Sequence, residues 1–226
     1  MKNILPLLFL LISFSGNGLL AQTIPLDTNQ LVAHKVYMSI EKLQGKRVVK
    51  VSKDSTIKEA DEPTFVRLTN TDFKDGTIEV KVLSRLLPTA SPTDRGFIGV
   101  AFRIDDRNSQ FECIYIRPTN GRAAEQVRRN HSIQYFSYPD HKFSRLRKES
   151  PEMYESYADM GLNEWIQLRI EVQGKQAKLF LHNNTQPSLI VNDLKHGEGA
   201  AGAVGLFVDM GTEGFFRDIK VHVATK

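Results

Sequence analysis

The residue types best suited to chemistry are concentrated in residues 117–148, hereafter the basic segment. This stretch holds eight Lys or Arg residues against two acidic ones, a net charge of +6, whereas the whole chain carries +4. Four aromatic residues and several amides lie among these cations. Guanidinium forks bind oxygen atoms and aromatic faces cover apolar ring edges, so the combination suits a polar, ring-shaped or anionic ligand. A solvated basic loop is the alternative, because charged runs usually lie on the surface.

The candidate ligand-binding residues are the cations, amides and tyrosines of the earlier part of the basic segment. Arginine, amide and imidazole groups would bind hydroxyl or carboxylate oxygens, and a tyrosine would stack on the ring of a ligand. The set consists of Arg117, Asn120, Arg122, Gln126, Arg129, Asn130, His131, Tyr135 and Tyr138.

The N-terminal residues 1–21 have the features of a secretory signal peptide. A positive residue precedes an apolar core at residues 4–14, and Ala21 is a small residue before a cleavage site at Gln22. The apolar run is too short for a membrane span, which takes about 20 residues. Residues 22–226 are therefore expected to form one domain, exported to the periplasm or the extracellular space.

Elsewhere, apolar and polar residues alternate as they do in strands with one buried face. The clearest segments are residues 77–83, 166–172 and 177–181, with Leu168 among the inward positions. About ten such segments, without alternating helical patterns, predict a single antiparallel sandwich of two sheets. A short helix could begin at Ser150, although a strand or loop fits that region equally well.

The basic segment follows directly on a predicted strand at residues 111–117. If Ile114 faces the core, Tyr115 and Arg117 point to the opposite face of the sheet. Cys113 would lie on that face too, buried beneath a covering loop. A long loop over one sheet face is where such folds form a cleft, so Arg117 is expected to lead into the binding site.

Several segments between residues 65 and 223 form a recognisable set: Trp165 with the strand after it, the hairpin at Gly174, and residues 202–206, 216–219, 73–80 and 96–103. With these features the chain resembles a concanavalin A-like, or laminin G-like, jelly roll over residues 65–223. Within that family it most resembles the exported bacterial 3-keto-disaccharide hydrolase-like domains. The resemblance implies an all-β jelly roll but says less about function, because lectins, glucanases and adhesion modules share the fold.

The resemblance raises the question of glycosidic hydrolysis, which normally needs two carboxylates flanking the bond. Glucanases of this fold carry Glu-x-Asp-x-Glu on one strand, and that motif is absent here. The nearest match, residues 59–63, has the wrong spacing and is interpreted as solvated surface. Glu112, Glu149 and Glu155 are scattered acids near the basic segment, and any of them could be a general acid. Glu112 or Glu149, together with His131, are the candidate proton-transfer groups. Whether the protein is an enzyme therefore stays open.

Other site types receive little support. The histidines form no zinc-spaced pair, and the single cysteine cannot supply a thiolate cluster. Residues 105–108, Asp-Asp-Arg-Asn, could touch a structural calcium ion, but a turn is the commoner explanation for this composition. No cofactor is expected. Arginines and aromatic residues interleave as in nucleic-acid-binding proteins, but the export signal and the small net charge argue against such a partner.

These residues and the resemblance predict an exported β-sandwich that binds carbohydrate, with sulfated or uronic acid glycans as candidates alongside neutral ones. One alternative is a glycoside hydrolase or lyase of the 3-keto-disaccharide hydrolase type. Another is a protein-interaction or adhesion module in which the basic segment meets an acidic partner.

Overall fold

The structure, a computed structural model, describes residues 20–23 and 28–224. The predicted signal peptide lies outside these residues except for Leu20 and Ala21, which belong to a strand. The described chain contains fifteen strands, three short α-helices and a 3-10 helix at Thr28–Gln30.

The elements are numbered here in chain order. The strands are β1 (Leu20–Thr23), β2 (Leu31–His34), β3 (Val36–Leu43), β4 (Lys46–Lys53), β5 (Phe65–Phe73), β6 (Gly76–Leu86), β7 (Ile98–Ile104), β8 (Phe111–Ile116), β9 (Ile133–Tyr138), β10 (Glu155–Ser156), β11 (Ile166–Gln173), β12 (Gln176–Leu181), β13 (Leu189–Val191), β14 (Gly202–Val208) and β15 (Thr212–Val223). The helices are α1 (Pro118–Gly121), α2 (Gln126–Asn130) and α3 (Phe143–Glu149).

The strands form two antiparallel sheets, which confirms the predicted all-β sandwich of the jelly-roll type. Sheet A has the order β13-β12-β11-β6-β15-β4-β3, with β1 paired to β15. Sheet B has the order β10-β9-β8-β7-β14-β5-β2. Consecutive strands pair in several places, but β6 with β11 and β15, and β14 with β5 and β7, pair strands that are distant in sequence, so the fold also depends on long-range pairing.

Sheet A has one buried face, as the alternating sequence predicts. Along β11, Ile166, Leu168, Ile170 and Val172 are buried, while the residues between them are partly exposed. The buried side chains pack against the inner face of sheet B in one continuous apolar core. Leu168 is therefore at an inward position, in agreement with its predicted orientation.

The central strands of sheet B are buried on both faces. Every residue of β7 and β8 is buried, and so is β9 up to its last residue. The inner face packs on sheet A, while residues 54–64 and the segments that contain α1, α2 and α3 cover the outer face. On this outer face Cys113, Tyr115 and Phe136 are all buried, and the two rings meet edge to face with centroids 5.8 Å apart.

The structure corrects one local expectation and decides between alternatives at another place. The basic segment is not one loop, because β9 crosses it and pairs with β8 along its whole length. Of the alternatives for the region after Ser150, the helix is absent, and residues 151–154 form a turn that leads into the short strand β10. Helix α3 ends instead at Glu149, and the amide of Ser150 donates to the carbonyl of Leu146 as its C-cap.

Candidate ligand-binding site

A cavity of about 320 Å³ lies over the outer face of sheet B, and we name it the arginine pocket. Aromatic residues from the sheet and from α3 form part of its wall, and arginines from four segments also line it. The lining residues are Ala60, Thr93, Arg95, Phe97, Tyr115, Arg117, Asn120, Arg128, His131, Phe143, Arg147, Asp209 and Met210.

Arg117 is held rigidly at the base of the arginine pocket. It follows β8 on the same face as Tyr115, and its Nη2 donates to Tyr115 Oη at 2.8 Å and to Gln134 Oε1 at 3.1 Å. Its guanidinium carbon lies 5.5 Å from the centroid of the Phe143 ring. With its side chain only 5% exposed, Arg117 presents a fixed positive charge rather than a mobile one.

Glu155 is the carboxylate that balances this side of the pocket. Its Oε1 accepts from Arg117 Nη1 at 3.0 Å and from Arg147 Nη2, while its Oε2 accepts from Arg147 Nε at 3.0 Å. Burial would raise the pKa of the Glu155 carboxyl, but the Arg147 hydrogen bond and the arginine charges outweigh burial and lower it. Glu155 therefore stays ionised and is fully engaged.

His131 lies beside the ion cluster of Arg117, Arg147 and Glu155. Its Nδ1 lies 3.0 Å from Glu155 Oε2. Burial and the nearby Arg147 and Arg117 charges lower the pKa of His131 despite this carboxylate. The imidazole is therefore mainly neutral near pH 7 and can both donate and accept hydrogen bonds.

Two arginines of the pocket are poorly balanced by acids. Arg95 donates only to the carbonyls of Pro92 and Asp94, at 2.6 and 3.1 Å, within the described chain. Its pKa is lowered by burial and by the charges of Arg128 and Arg117. Arg128 Nε is buried without a hydrogen bond. Its nearest carboxylate oxygen, on Glu125, is 3.7 Å from that nitrogen.

Beside the pocket, Asp61 and Asp209 form a buried acidic pair. Lys53 Nζ lies 2.6 Å from Asp209 Oδ1, and Asp61 Oδ2 accepts from the amide of Phe143 at 2.7 Å. Burial and the charge of Asp209 raise the pKa of Asp61 to about 7. The solvated surface expected for residues 59–63 is thus wrong at Asp61, which is fully buried.

A second, smaller cavity of about 180 Å³ adjoins the arginine pocket, with His131 in the walls of both. We name it the tyrosine cavity. Next to it, the Arg129 guanidinium carbon lies 4.8 Å from the Tyr157 ring centroid, and Arg129 Nη2 donates to Tyr157 Oη at 2.5 Å. The lining residues of the tyrosine cavity are Asn130, His131, Glu152, Glu155, Ser156 and Tyr157.

The structure brings some predicted binding residues together and separates others. Arg117, Asn120 and His131 line the arginine pocket, and Asn130 lines the tyrosine cavity. The remaining residues have other partners: Arg122 with Asp159 and Glu164, Gln126 with Asn130, Arg129 with Tyr157, and Tyr138 stacked on Phe111.

Tyr135 is a correction, because it cannot stack on a ligand. It is fully buried on the inner face of β9, where its hydroxyl donates to Glu112 Oε2 at 2.6 Å. Glu112 is equally buried, and its Oε1 accepts from the amide of His196 at 2.9 Å. Glu112 therefore faces the interior, away from both cavities. Glu149 is exposed on α3 and pairs with Arg145, so His131 is the candidate proton-transfer residue that borders a cavity.

Sequence reasoning missed several pocket residues that come from separate segments. Arg128 and Arg147 belong to the basic segment but were not distinguishable there from its exposed cations. Arg95 lies in a proline-containing loop, and Tyr157 follows β10, so only the folded chain places them beside the basic segment. The missed residues are Arg95, Phe97, Arg128, Phe143, Arg147 and Tyr157.

Residues 105–108, where the sequence allows a calcium site, belong to a turn that is stabilised by hydrogen bonds to Asp105. Asp105 Oδ1 accepts from the amides of Ser109 and Gln110, and Oδ2 accepts from Ser109 Oγ. Within residues 20–23 and 28–224, no three His, Cys, Asp or Glu side chains come together in a metal-binding group. No helix in this part of the chain has the length and apolarity to cross a membrane.

Comparison with known proteins reveals structural but not sequence relatives. No family model and no curated protein matches the sequence. Carbohydrate-binding module CBM66 from Bacillus subtilis is 13% identical, with a TM-score of 0.52 over 84% of this chain and 96% of that one. A Parabacteroides distasonis ATCC 8503 protein provisionally named a glycosyl hydrolase is 10% identical, with a TM-score of 0.53 over 88% and 90%.

A Bacillus subtilis protein of unknown function with a galectin-like fold is also similar. It is 10% identical, with a TM-score of 0.50 over 84% of this chain and 89% of that one. Such low identities carry no statement about shared ligands or residues. The structural similarities establish that the chain has the jelly-roll fold found in a carbohydrate-binding module, a galectin-like protein and a provisional glycosyl hydrolase.

Proposed function

We propose that this protein binds carbohydrate in the arginine pocket and that it prefers a sugar residue carrying a carboxylate or sulfate group. The observation that carries the proposal is the convergence of Arg95, Arg117, Arg128 and Arg147 on one cavity that also has aromatic walls. Glu155 pairs closely with Arg117 and Arg147, whereas Arg128 has only a longer ion pair, of 3.7 Å, with the exposed Glu125 among the described residues. Arg95 and Arg128 are therefore the residues expected to bind the anionic group.

The aromatic wall supports a ring-shaped ligand. Phe97, Tyr115 and Phe143 line the pocket opposite or beside the guanidinium groups. Apolar C–H faces of a sugar pack well on such rings, while the arginines and Asn120 bind its oxygens. Solved structures of the same fold that include a carbohydrate-binding module support the same proposal at the level of the fold.

We favour binding over turnover. A hydrolase would need two carboxylates on opposite sides of the scissile bond, and the lining of the arginine pocket includes a single carboxylate, Asp209, which Lys53 engages. Asp61 has the raised pKa of a general acid. However, Asp61 is fully buried, and its carboxylate accepts a hydrogen bond from the amide of Phe143 at the start of α3. A substrate could therefore not reach Asp61 without movement of α3.

The test is isothermal titration calorimetry with galacturonic acid and galactose as matched probes, together with an assay for released reducing sugar on a polygalacturonate. Galacturonic acid is expected to bind more tightly than galactose, and added salt should weaken galacturonic acid far more. Arg128→Ala should lower the affinity for galacturonic acid about ten- to a hundredfold, because it removes charge-assisted hydrogen bonds.

Arg107→Ala is the matched control, because Arg107 is exposed on the turn between β7 and β8. Unchanged galacturonic acid affinity in Arg128→Ala and Arg95→Ala would refute the proposal for this pocket. Release of reducing sugar by the wild-type protein would favour the hydrolase alternative.

We also propose that the chain is exported. The signal-like pattern of residues 1–21 supports this proposal.

A further inference from the structure

The tyrosine cavity has a different chemistry from the arginine pocket, although the two share a wall. Its lining contains two carboxylates and no Lys or Arg side chain. Glu155 is neutralised by its arginine partners, whereas Glu152 is exposed and has no hydrogen-bond or ion-pair partner among the described residues. The free carboxylate of Glu152 would repel an anionic group of a ligand in this cavity. It favours hydroxyl groups instead, because it can accept hydrogen bonds from them.

Tyr157 supplies the aromatic surface that the buried Tyr135 cannot. Tyr157 is 40% exposed, and it lines the tyrosine cavity. Arg129 holds it in place through the ring contact and the hydroxyl hydrogen bond, so little conformational freedom remains to be lost on binding. A fixed, partly exposed ring beside hydroxyl-binding groups suits a neutral sugar.

The volumes of the two cavities indicate that the tyrosine cavity is an extension of the arginine pocket and not an independent site. A volume of about 180 Å³ is below the range of roughly 300–1,000 Å³ that is usual for an independent small-molecule site. The arginine pocket, at about 320 Å³, is within that range. Because His131 lines both cavities, a ligand that fills the arginine pocket can continue past His131 toward Tyr157.

We propose that the two cavities bind adjacent residues of one mixed glycan, with an acidic sugar in the arginine pocket and a neutral sugar against Tyr157. The inference rests on the proposed function of the arginine pocket and names its ligand class more closely. His131 lies between the two sugars, where it can bind an oxygen near the linkage. Glu152 and Asn130 bind hydroxyl groups of the neutral residue.

The probes are galacturonic acid, digalacturonic acid and aldobiouronic acids, in which one uronic acid is joined to one neutral hexose in either order. By calorimetry, at least one aldobiouronic acid should bind about three- to tenfold more tightly than galacturonic acid. Digalacturonic acid should not show this advantage, because its second carboxylate would meet Glu152. Glu152→Gln should then improve digalacturonic acid binding selectively.

Tyr157→Ala should abolish the aldobiouronic acid advantage and leave galacturonic acid affinity unchanged. Tyr157→Phe, which keeps the ring, should retain the advantage. Tyr37→Ala is the control, because Tyr37 is an exposed tyrosine on β3 of sheet A. A full advantage in Tyr157→Ala, or equal affinity for digalacturonic and aldobiouronic acids in the wild-type protein, would overturn the inference while the proposed function stands. Absence of any galacturonic acid binding would overturn both.

Discussion

The main-chain amide of Asp61 donates a hydrogen bond of 2.9 Å to Oδ2 of Asp209, across 148 residues of sequence. This bond fixes the loop of residues 54–64 to the end of β14 beside the arginine pocket. The Asp61 carboxylate then binds the first amide of α3, so three separate segments meet at one buried acid. The arrangement joins the cover of sheet B to the sheet and places a titratable group at the junction.

The first prediction concerns the pH dependence of stability. The pKa of Asp61 is raised from 3.8 to about 7 by burial and by Asp209, so the folded state binds its proton more tightly than the unfolded state. Its contribution is fully present below about pH 4 and is lost as the pH rises through about 7. The free energy of unfolding of the wild type relative to Asp61→Asn should fall by roughly 4 kcal/mol over this window.

Urea denaturation from pH 4 to pH 8 measures that difference. Asp106→Asn is the control, because the Asp106 side chain is fully exposed and should give a nearly constant difference. A constant difference for Asp61→Asn as well would show that Asp61 does not titrate abnormally.

The second prediction concerns the ion cluster between the two cavities. Glu155→Ala leaves Arg117 buried without its carboxylate, which should cost about 3–5 kcal/mol of unfolding free energy. Glu149→Ala removes a carboxylate that also binds an arginine, Arg145, but on an exposed helix face. Its cost should stay near 0.3–0.5 kcal/mol, or about a tenth as much. Similar losses for both variants in chemical denaturation would contradict this assignment.

The third prediction separates structure from ligand binding at Tyr135. Tyr135→Phe removes the hydroxyl that donates to Glu112 and accepts from the amide of Lys195. Unsatisfied buried groups should lower the unfolding free energy by about 1–3 kcal/mol, with ligand affinity unchanged. Tyr138→Phe loses only a long hydrogen bond to Glu62 and should change stability by less than about 0.5 kcal/mol. A loss of affinity in Tyr135→Phe without loss of stability would restore Tyr135 as a ligand contact.

The fourth prediction tests the core of the sandwich. Leu168 is 1% exposed on the inner face of β11, so Leu168→Ala should cost about 2–5 kcal/mol through lost burial and an unfilled cavity. Gln167→Ala, on the opposite face of the same strand, should cost less than about 0.5 kcal/mol. Thermal and chemical denaturation of the two variants compare these positions directly, and equal effects would place Leu168 outside the core.

The fifth prediction concerns processing. Exported protein should begin at or within a few residues of Gln22, which N-terminal sequencing of secreted material would determine. Cleavage there would remove Leu20 and Ala21 from β1 but leave the next two residues able to pair with β15. Intact residues 1–21 on protein recovered from the cytoplasm would contradict export.

Sheet A was predictable because it obeys a simple alternation. Residues 166–172 have apolar side chains at every second position, and these are the buried positions of β11, while the residues between them are partly exposed to solvent. The sequence pattern therefore matches the burial pattern. Sheet B does not allow this reading, because its covered outer face buries both sides of β9. Buried Gln134 and Ser137 then look like polar loop residues, and nothing local indicates that Tyr135 faces inward.

The candidate site was predictable only where it is continuous in sequence. Arg117 follows a recognisable strand, and strand periodicity correctly put it on the face of Tyr115. Arg95 and Tyr157 reach the site from loops whose positions depend on tertiary contacts. Arg95 differs from the other arginines of the pocket because no carboxylate in the described part of the chain forms an ion pair with it. Ion pairing of this kind is a property of the folded chain and leaves no trace in composition.

Cys113 lies on the outer face of sheet B beneath the cover, fully buried, and burial raises the pKa of its thiol well above the ordinary value. A thiol reagent can therefore modify the native protein only when the cover lifts from the sheet, so the rate of modification measures how often it opens. Ala60 and Phe143 belong to that cover and also line the arginine pocket. A bound ligand should slow the modification, which makes the single cysteine a native reporter of occupancy that needs no added label site.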